Sequence, residues 1–255
     1  MDAESAERYR APALDKGLDI IELLAGTDGG LTQAEIAKAL SRSPAEIYRM
    51  LDRLVRRDYV RRIAGDRYEL PLKLFELAHL RPPLHRLISQ ANPVLRSFAL
   101  KAQQAVHLVI RDRGILVVVA QVDGPGYWNV SIRVVSRIGL VNTGSGHVFL
   151  AYATPEERQL MLAEQDPGRE QVMPDGLEAR LDKVRAEGSE VMPSAQVASV
   201  HNLSVPILGA MGSVLAVLTC PYTERLDRGD APDLDQCLSL LKEAGRAVSN
   251  RHQEA

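Results

Sequence analysis

Apolar positions along this chain follow a helical rhythm up to about residue 105, broken once by a short hairpin pattern, and a mixed rhythm beyond it. Leu14, Leu18, Ile21 and Leu24 recur at helical spacing and predict an amphipathic first helix over about Leu14 to Ala25. A turn at Thr27-Asp28-Gly29-Gly30 separates it from Thr32-Gln33-Ala34-Glu35, a capping box. In that motif the hydroxyl and the carboxylate each satisfy a free backbone donor at a helix start. Ile36, Ala37 and Leu40 give this short second helix its buried side. Ser43-Pro44-Ala45-Glu46 is a second capping box, with Pro at the first helical position, where its missing donor is harmless. The third helix is expected to bury Ile47, Leu51, Leu54 and Val55 and to carry Glu46, Arg49, Arg53 and Arg56 on its other faces. Two helix starts about eleven residues apart have the spacing of a helix-turn-helix. Tyr59 to Ile63, the turn Ala64-Gly65-Asp66, and Arg67 to Leu70 then predict a hairpin, which in this place makes a wing.

Helical periodicity resumes from Leu72 to about Ala105, interrupted at Arg81-Pro82-Pro83, and reads as a linker helix followed by the helix that opens a second domain. Val106 to Ile110 and Ile115 to Val122 are strand-like around the turn Asp112-Arg113-Gly114. Asn142 to Gly146 lead into an apolar run ending at Ala151, Thr154-Pro155-Glu156-Glu157 is a third capping box, and Leu177 to Glu187 is helical. Leu203 to Leu208 and Ser213 to Cys220 read as strands, and Asp233 to about Asn250 as a closing helix. This order predicts an α+β second domain with an antiparallel sheet. The domains are expected at 1–81 and 82–255.

Composition narrows the classes. At 255 residues two domains are the natural expectation, and 45% apolar with 25% charged residues is ordinary globular composition. No apolar run approaches the ~20 residues of a spanning helix, so no membrane partner is expected. The charged segment Met1 to Arg10 does not read as a secretory signal. Cys220 and Cys237 have no metal-type spacing and make no disulfide framework, so a reducing cytoplasm, with no metal and no cofactor, is the expectation. The net charge is -2, yet Arg42 to Arg67 hold eight arginines against four acids. A local basic patch of that kind is sufficient for phosphate binding.

The third helix is therefore the expected reader of the major groove, with Ser43, Ala45, Glu46, Tyr48 and Arg49 at or near base edges. Arg49 is the candidate for bidentate contact with a guanine. Arg53 and the wing residues Arg61, Arg62 and Arg67 are candidates for phosphates, which position without specifying. For Tyr48, packing against the core is an equal alternative, and Arg56 and Arg57 read as a solvated helix end. In the second domain, Asn142 to Gly146 read either as a tight capped turn or as an anion site, because small residues leave N–H groups open at the positive end of a helix.

Several of these segments together resemble the IclR-type transcriptional regulators. The similarity runs through Ala13 to Ile20, Leu31 to Ala37, Ile47 to Leu51, Leu54 to Arg57 and Tyr68 to Leu70. It continues at Leu140, Thr143, Gly146, Leu150, Ala151, Val205-Pro206-Ile207 and Val214 to Thr219. The resemblance implies a GAF-like effector-binding domain, dimers joined largely through the DNA-binding domains, often tetramers, and double-stranded operator DNA as partner. It also implies an effector carboxylate near Gly144 and Ser145, with Asn202 and Thr219 on the facing strands and Tyr127 and Ile138 as apolar walls. His147 then reads as a surface histidine, and Trp128 either covers a pocket or belongs to the core. The sequence departs from the family pattern at Met192 to Ala195, where acidic residues are common, and at Ser199 and Asn202. An effector poor in hydroxyl groups follows from the missing acids.

The rival reading is a small-molecule-processing enzyme with an accessory helical domain. Gly144-Ser145-Gly146 superficially suggests a nucleophile turn, but it lacks the Gly-x-Ser-x-Gly spacing, and no base is paired with it. The sequence favours a ligand-responsive regulator, of catabolic genes, over catalysis.

Overall fold

Local signals dominate the first sixty residues. The computed structural model describes residues 11–80, 82–165, 174–226 and 229–253; Met1–Arg10, read above for a leader, and Arg81, read as a domain end, lie outside them. Helix α1 (Pro12–Ala25) starts two residues before the expected Leu14, with no side-chain cap at Ala11, whereas α2 (Gln33–Ala39) and α3 (Pro44–Arg56) start where their caps predict. Both capping boxes close. Thr32 accepts from the Glu35 N–H at 3.3 Å while its own N–H donates to the Glu35 carboxylate at 2.7 Å. Ser43 and Glu46 repeat the exchange at 3.4 and 3.2 Å. Ile20, Leu24, Ile36, Ile47, Leu51 and Tyr68 make the core of this unit.

Two expected faces turn out differently. Of the expected stripe Leu24 is buried, but Leu14 and Leu18 are exposed, at 60% and 47%, and α1 buries Gly17 and Ile20 in their place. Val55 is also exposed, because the inward stripe of α3 runs Ile47, Leu51, Leu54 and leaves Val55 at its edge. Strands β1 (Leu31–Thr32), β2 (Arg61–Ile63) and β3 (Arg67–Glu69) form an antiparallel sheet in the order β1-β3-β2, with a 3₁₀ turn at Ala64–Asp66 as the wing tip. Helix α4 (Lys73–His79) follows, flanked by the exposed Leu72 and Leu80.

Lys16 on α1 donates to Glu46 at 2.5 Å, fastening the first helix to the start of α3. This bond, then those from Ser43, holds the Glu46 carboxyl down to about 2 from its usual 4.5. A depressed folded value means that the stabilisation is present above the unfolded value and lost as pH falls towards the folded one. Thermal melts between about pH 5 and 2 should therefore show the wild type losing an advantage that Glu46→Gln never has. Parallel curves for the two proteins would deny Glu46 this part.

The chain divides between His85 and Arg86, a few residues beyond the expected boundary. In the second unit a six-stranded antiparallel sheet has the order β6-β5-β4-β9-β8-β7. Its strands are β4 (Val106–Asp112), β5 (Ile115–Val122), β6 (Arg137–Ile138), β7 (Glu190–Pro193), β8 (Val200–Leu208) and β9 (Val214–Thr223). Helices α5 (Pro82–Ala102) and α9 (Leu234–Gln253) cover one face, where Leu95, Phe98, Leu108, Leu218 and Leu241 pack together with the two free, buried cysteines. On the other face Val109, Leu116 and Val217 meet α6 (Gly144–Tyr152), α7 (Pro155–Ala163) and α8 (Leu177–Glu187). Side chains alternate between the faces along a strand. Register then places Glu190, Ser204, Thr219 and His107 in one polar row across four strands, on the α6 side. Among the described residues no helix is long and apolar enough to cross a membrane.

Candidate functional site

The surface of α3 leaves cations unclaimed. Tyr48 is 58% exposed, which removes the core-packing alternative. Arg49 and Arg53 are exposed and have no ion-pair partner among the described residues. Ala45 is exposed at the helix start, and Ser43 is occupied as its cap. Gln33 reaches across the turn to the Pro44 carbonyl at 2.9 Å, fixing α2 against the start of α3.

In the wing, Arg61 pairs with Glu69 and Arg62 with Asp66, both at 2.6 Å. Exposed pairs of this kind contribute only about 0–1 kcal/mol, so a phosphate can displace the carboxylate. Arg67 differs from what the sequence suggests. Its guanidinium donates to the Gly29 carbonyl at 3.1 Å and the Gly30 carbonyl at 2.9 Å, and lies 3.4 Å from Glu35. It ties the wing to the turn before α2 through its Nε and Nη2 donors.

The second site is a cavity of about 470 Å³ on the α6 side of the larger sheet. Ile138, Gly144, Ser145, Asn202 and Thr219 all line it, as expected. Tyr127 does not: it is 92% exposed and absent from the wall. Trp128 is half exposed and belongs neither to the core nor to the cavity. The loop after β5 instead turns Val130, Ser131 and Ile132 inward. An irregular loop has no period from which to read its inward residues. His107, Arg137, Ser194 and Gln196 are further wall residues that the sequence reading missed.

The start of α6 is both a capped turn and a cavity wall. Thr143 accepts from the Gly146 N–H at 3.1 Å and donates to the Gly139 carbonyl at 2.6 Å. The N–H groups of Gly144 and Ser145 occupy the first helical positions, which have no carbonyl partner within a helix. Ser145 is buried and bonds Thr219 at 2.8 Å, and Thr219 bonds Ser204 at 2.9 Å. Its partner is thus a hydroxyl and no base. His147 is no surface histidine: it is 2% exposed, 2.9 Å from Glu190 and 2.9 Å from the Val141 carbonyl. It follows Gly146 on the buried turn of α6 and ties that helix to β7. Arg137 is exposed at the cavity and unpaired among the described residues. His107 is fully buried, and desolvation pushes its pKa down to about 4, so the imidazole is neutral at ordinary pH.

A helix-turn-helix with a wing and unclaimed arginines, followed by a separate domain with a built cavity, defines a two-domain DNA-binding regulator. Residues 13–64 match the IclR helix-turn-helix domain, and residues 84–250 match the bacterial transcriptional regulator IclR C-terminal domain. The chain belongs to the IclR family of transcriptional regulators. It is 26% identical over 226 residues to the HTH-type transcriptional regulator KdgR of Dickeya chrysanthemi, a match covering 85% of this chain and 72% of that one. Similarity to the HTH-type transcriptional repressor AllR of Escherichia coli K12 is 24% over 224 residues, covering 85% and 82%. Among solved structures, an IclR homologue from Microbacterium hydrocarbonoxydans in complex with 4-hydroxybenzoate superposes with a TM-score of 0.75 at 20% identity, covering 95% of this chain and 100% of that one.

Proposed function

We propose that this regulator controls catabolic genes from a pseudo-palindromic operator, bound by a homodimer or a pair of dimers, and that a small anionic metabolite in the cavity of its GAF-like domain changes operator affinity. The observation that carries this reading is the cavity itself, where the open N–H groups of α6, Asn202 and Thr219 converge beside Ile138. Donors at a helix start favour a carboxylate, and an apolar surround strengthens each bond. Arg137 adds a positive charge at the wall. A carboxylate bound to a relative of the same fold agrees with this chemistry. The exposed Leu14, Leu18, Leu72 and Leu80 supply the apolar surface that pairing of two DNA-binding domains requires. On α3, Tyr48, Arg49 and Arg53 face the operator, with Arg61 and Arg62 on its phosphates. A cytoplasmic location follows from that partner.

To regulate, the acid must bind the operator-competent and incompetent states unequally. The test is fluorescence anisotropy of the full chain on duplex DNA from upstream of its own gene, titrated with small monocarboxylates such as benzoate and butyrate. An acid is expected to shift the complex. Arg137→Gln is expected to weaken that response about 10–100-fold, the worth of a charge-assisted hydrogen bond, while leaving DNA affinity without acid unchanged. If no acid in the panel moves the complex, the anionic-effector reading is wrong.

A further inference from the structure

His107 stands out within the polar row beneath α6. It lines the cavity, it is 1% exposed, and its Nδ1 has no hydrogen-bond partner. A buried polar atom of this kind is normally satisfied, by protein or by ordered water. Neither neighbour in register serves it. Opposite on β9, the Thr219 hydroxyl is engaged by Ser145 at 2.8 Å and Ser204 at 2.9 Å. Opposite on β5, Gln121 turns its amide nitrogen to the Val122 carbonyl and to Asp123, at 3.2 and 3.1 Å. The Gln121 carbonyl oxygen is likewise buried without a partner, and of the two side chains His107 is the one that lines the cavity.

We infer that His107 sets the specificity of this cavity, its ring nitrogen taking a single hydroxyl carried by the bound acid at the end away from the carboxylate. The inference rests on the anionic-effector reading and adds the second group of the ligand. A neutral, desolvated imidazole offers an anion no charge, whereas the start of α6 and Arg137 do, so the carboxylate belongs at that end. A hydroxyl both donates and accepts, so it satisfies either tautomer of the ring; a carbonyl or a quaternary group does not. Geometry limits where that hydroxyl sits. Directly opposed side chains on neighbouring strands stand about 5 Å apart. Ser145 Oγ lies 2.8 Å from Thr219 Oγ1. Hydroxyl and carboxylate are then separated by roughly 5–8 Å, which excludes a 2-hydroxy acid and fits a 4-hydroxy acid. The sparse hydroxylation expected from Met192 to Ala195 thus becomes one hydroxyl at a defined distance.

Isothermal titration of the full chain with two matched pairs tests this: benzoate against 4-hydroxybenzoate, and butyrate against 4-hydroxybutyrate. In at least one pair the hydroxylated acid should bind about 10-fold tighter or more, because the parent leaves the nitrogen unpaired. His107→Phe should erase the difference while still binding the parent acid. A readout that needs no variant is the ¹⁵N resonance of the His107 ring in the wild type, which should move with the hydroxylated acid and stay put with its parent. Equal affinities within both pairs, or a ring signal indifferent to the hydroxyl, would overturn the role of His107 and leave the anionic-effector reading standing. If none of the four acids binds, both fall together.

Discussion

Gly146→Ala is expected to be one of the most damaging single-methyl additions available in the effector domain. A Cβ at this position would lie 1.8 Å from the Leu140 carbonyl oxygen and 2.5 Å from its carbon. Those are backbone atoms, so no side chain can swing aside to make room. Relief requires α6 to move off the Leu140 segment, which disturbs the Ser145–Thr219 bond and the His147–Glu190 pair at the same time. Overpacking typically costs about 1–3 kcal/mol and occasionally more, and a backbone collision belongs at the upper end. The melting temperature of the effector domain, followed by calorimetry, should drop by about 5–10 °C, and the acid response should vanish with it. A variant that melts with the wild type would mean that the helix start is far looser than this packing implies.

The second large effect concerns DNA. Arg49→Ala should weaken operator binding by about 1–3 kcal/mol, the worth of a good bidentate base contact. Its affinity for random duplex should hardly change, because Arg49 is exposed and has no ion-pair partner among the described residues whose loss would disturb the fold. Arg67→Ala should behave otherwise. Removing it leaves the Gly29 and Gly30 carbonyls and Glu35 without their cation, so stability falls first. Operator and random DNA are then bound less well in equal proportion. Anisotropy on both duplexes, with melts alongside, separates the two cases, and an equal loss on both duplexes for Arg49→Ala would take it out of base reading.

The contrast between these arginines shows where sequence reasoning stops. Helix starts are legible because a capping box is written within four consecutive residues, and Thr32, Ser43 and Thr154 all cap as their spacing predicts. The long strands β4, β5, β8 and β9 are legible from apolar runs bounded by turns. Strands β1 and β6, of two residues each, have no room for a period. Burial is less legible still, since it depends on what arrives from elsewhere in the chain. Leu14 and Leu18 sit at helical spacing on a face that no core element covers. His147 is buried because Glu190, distant in sequence, meets it on β7. Arg67 looks like any wing arginine until the turn at Gly29 folds back on it. The cavity was half legible: Gly144, Ser145, Asn202 and Thr219 lie on regular elements, whereas Tyr127 lies on an irregular loop and His107 inside a strand that reads as plain core.

The margins of the larger sheet bear on how the protein behaves at high concentration. One margin is β6, two residues long, and the other is β7, four residues ending at Pro193. Exposed strand edges template pairing with other chains, and short edges and proline are the usual protection. The long apolar strands β8 and β9 are thereby kept in the interior of the sheet. Joining copies of this domain by extending one sheet into the next is thereby disfavoured, which guards against fibrous growth during synthesis and storage.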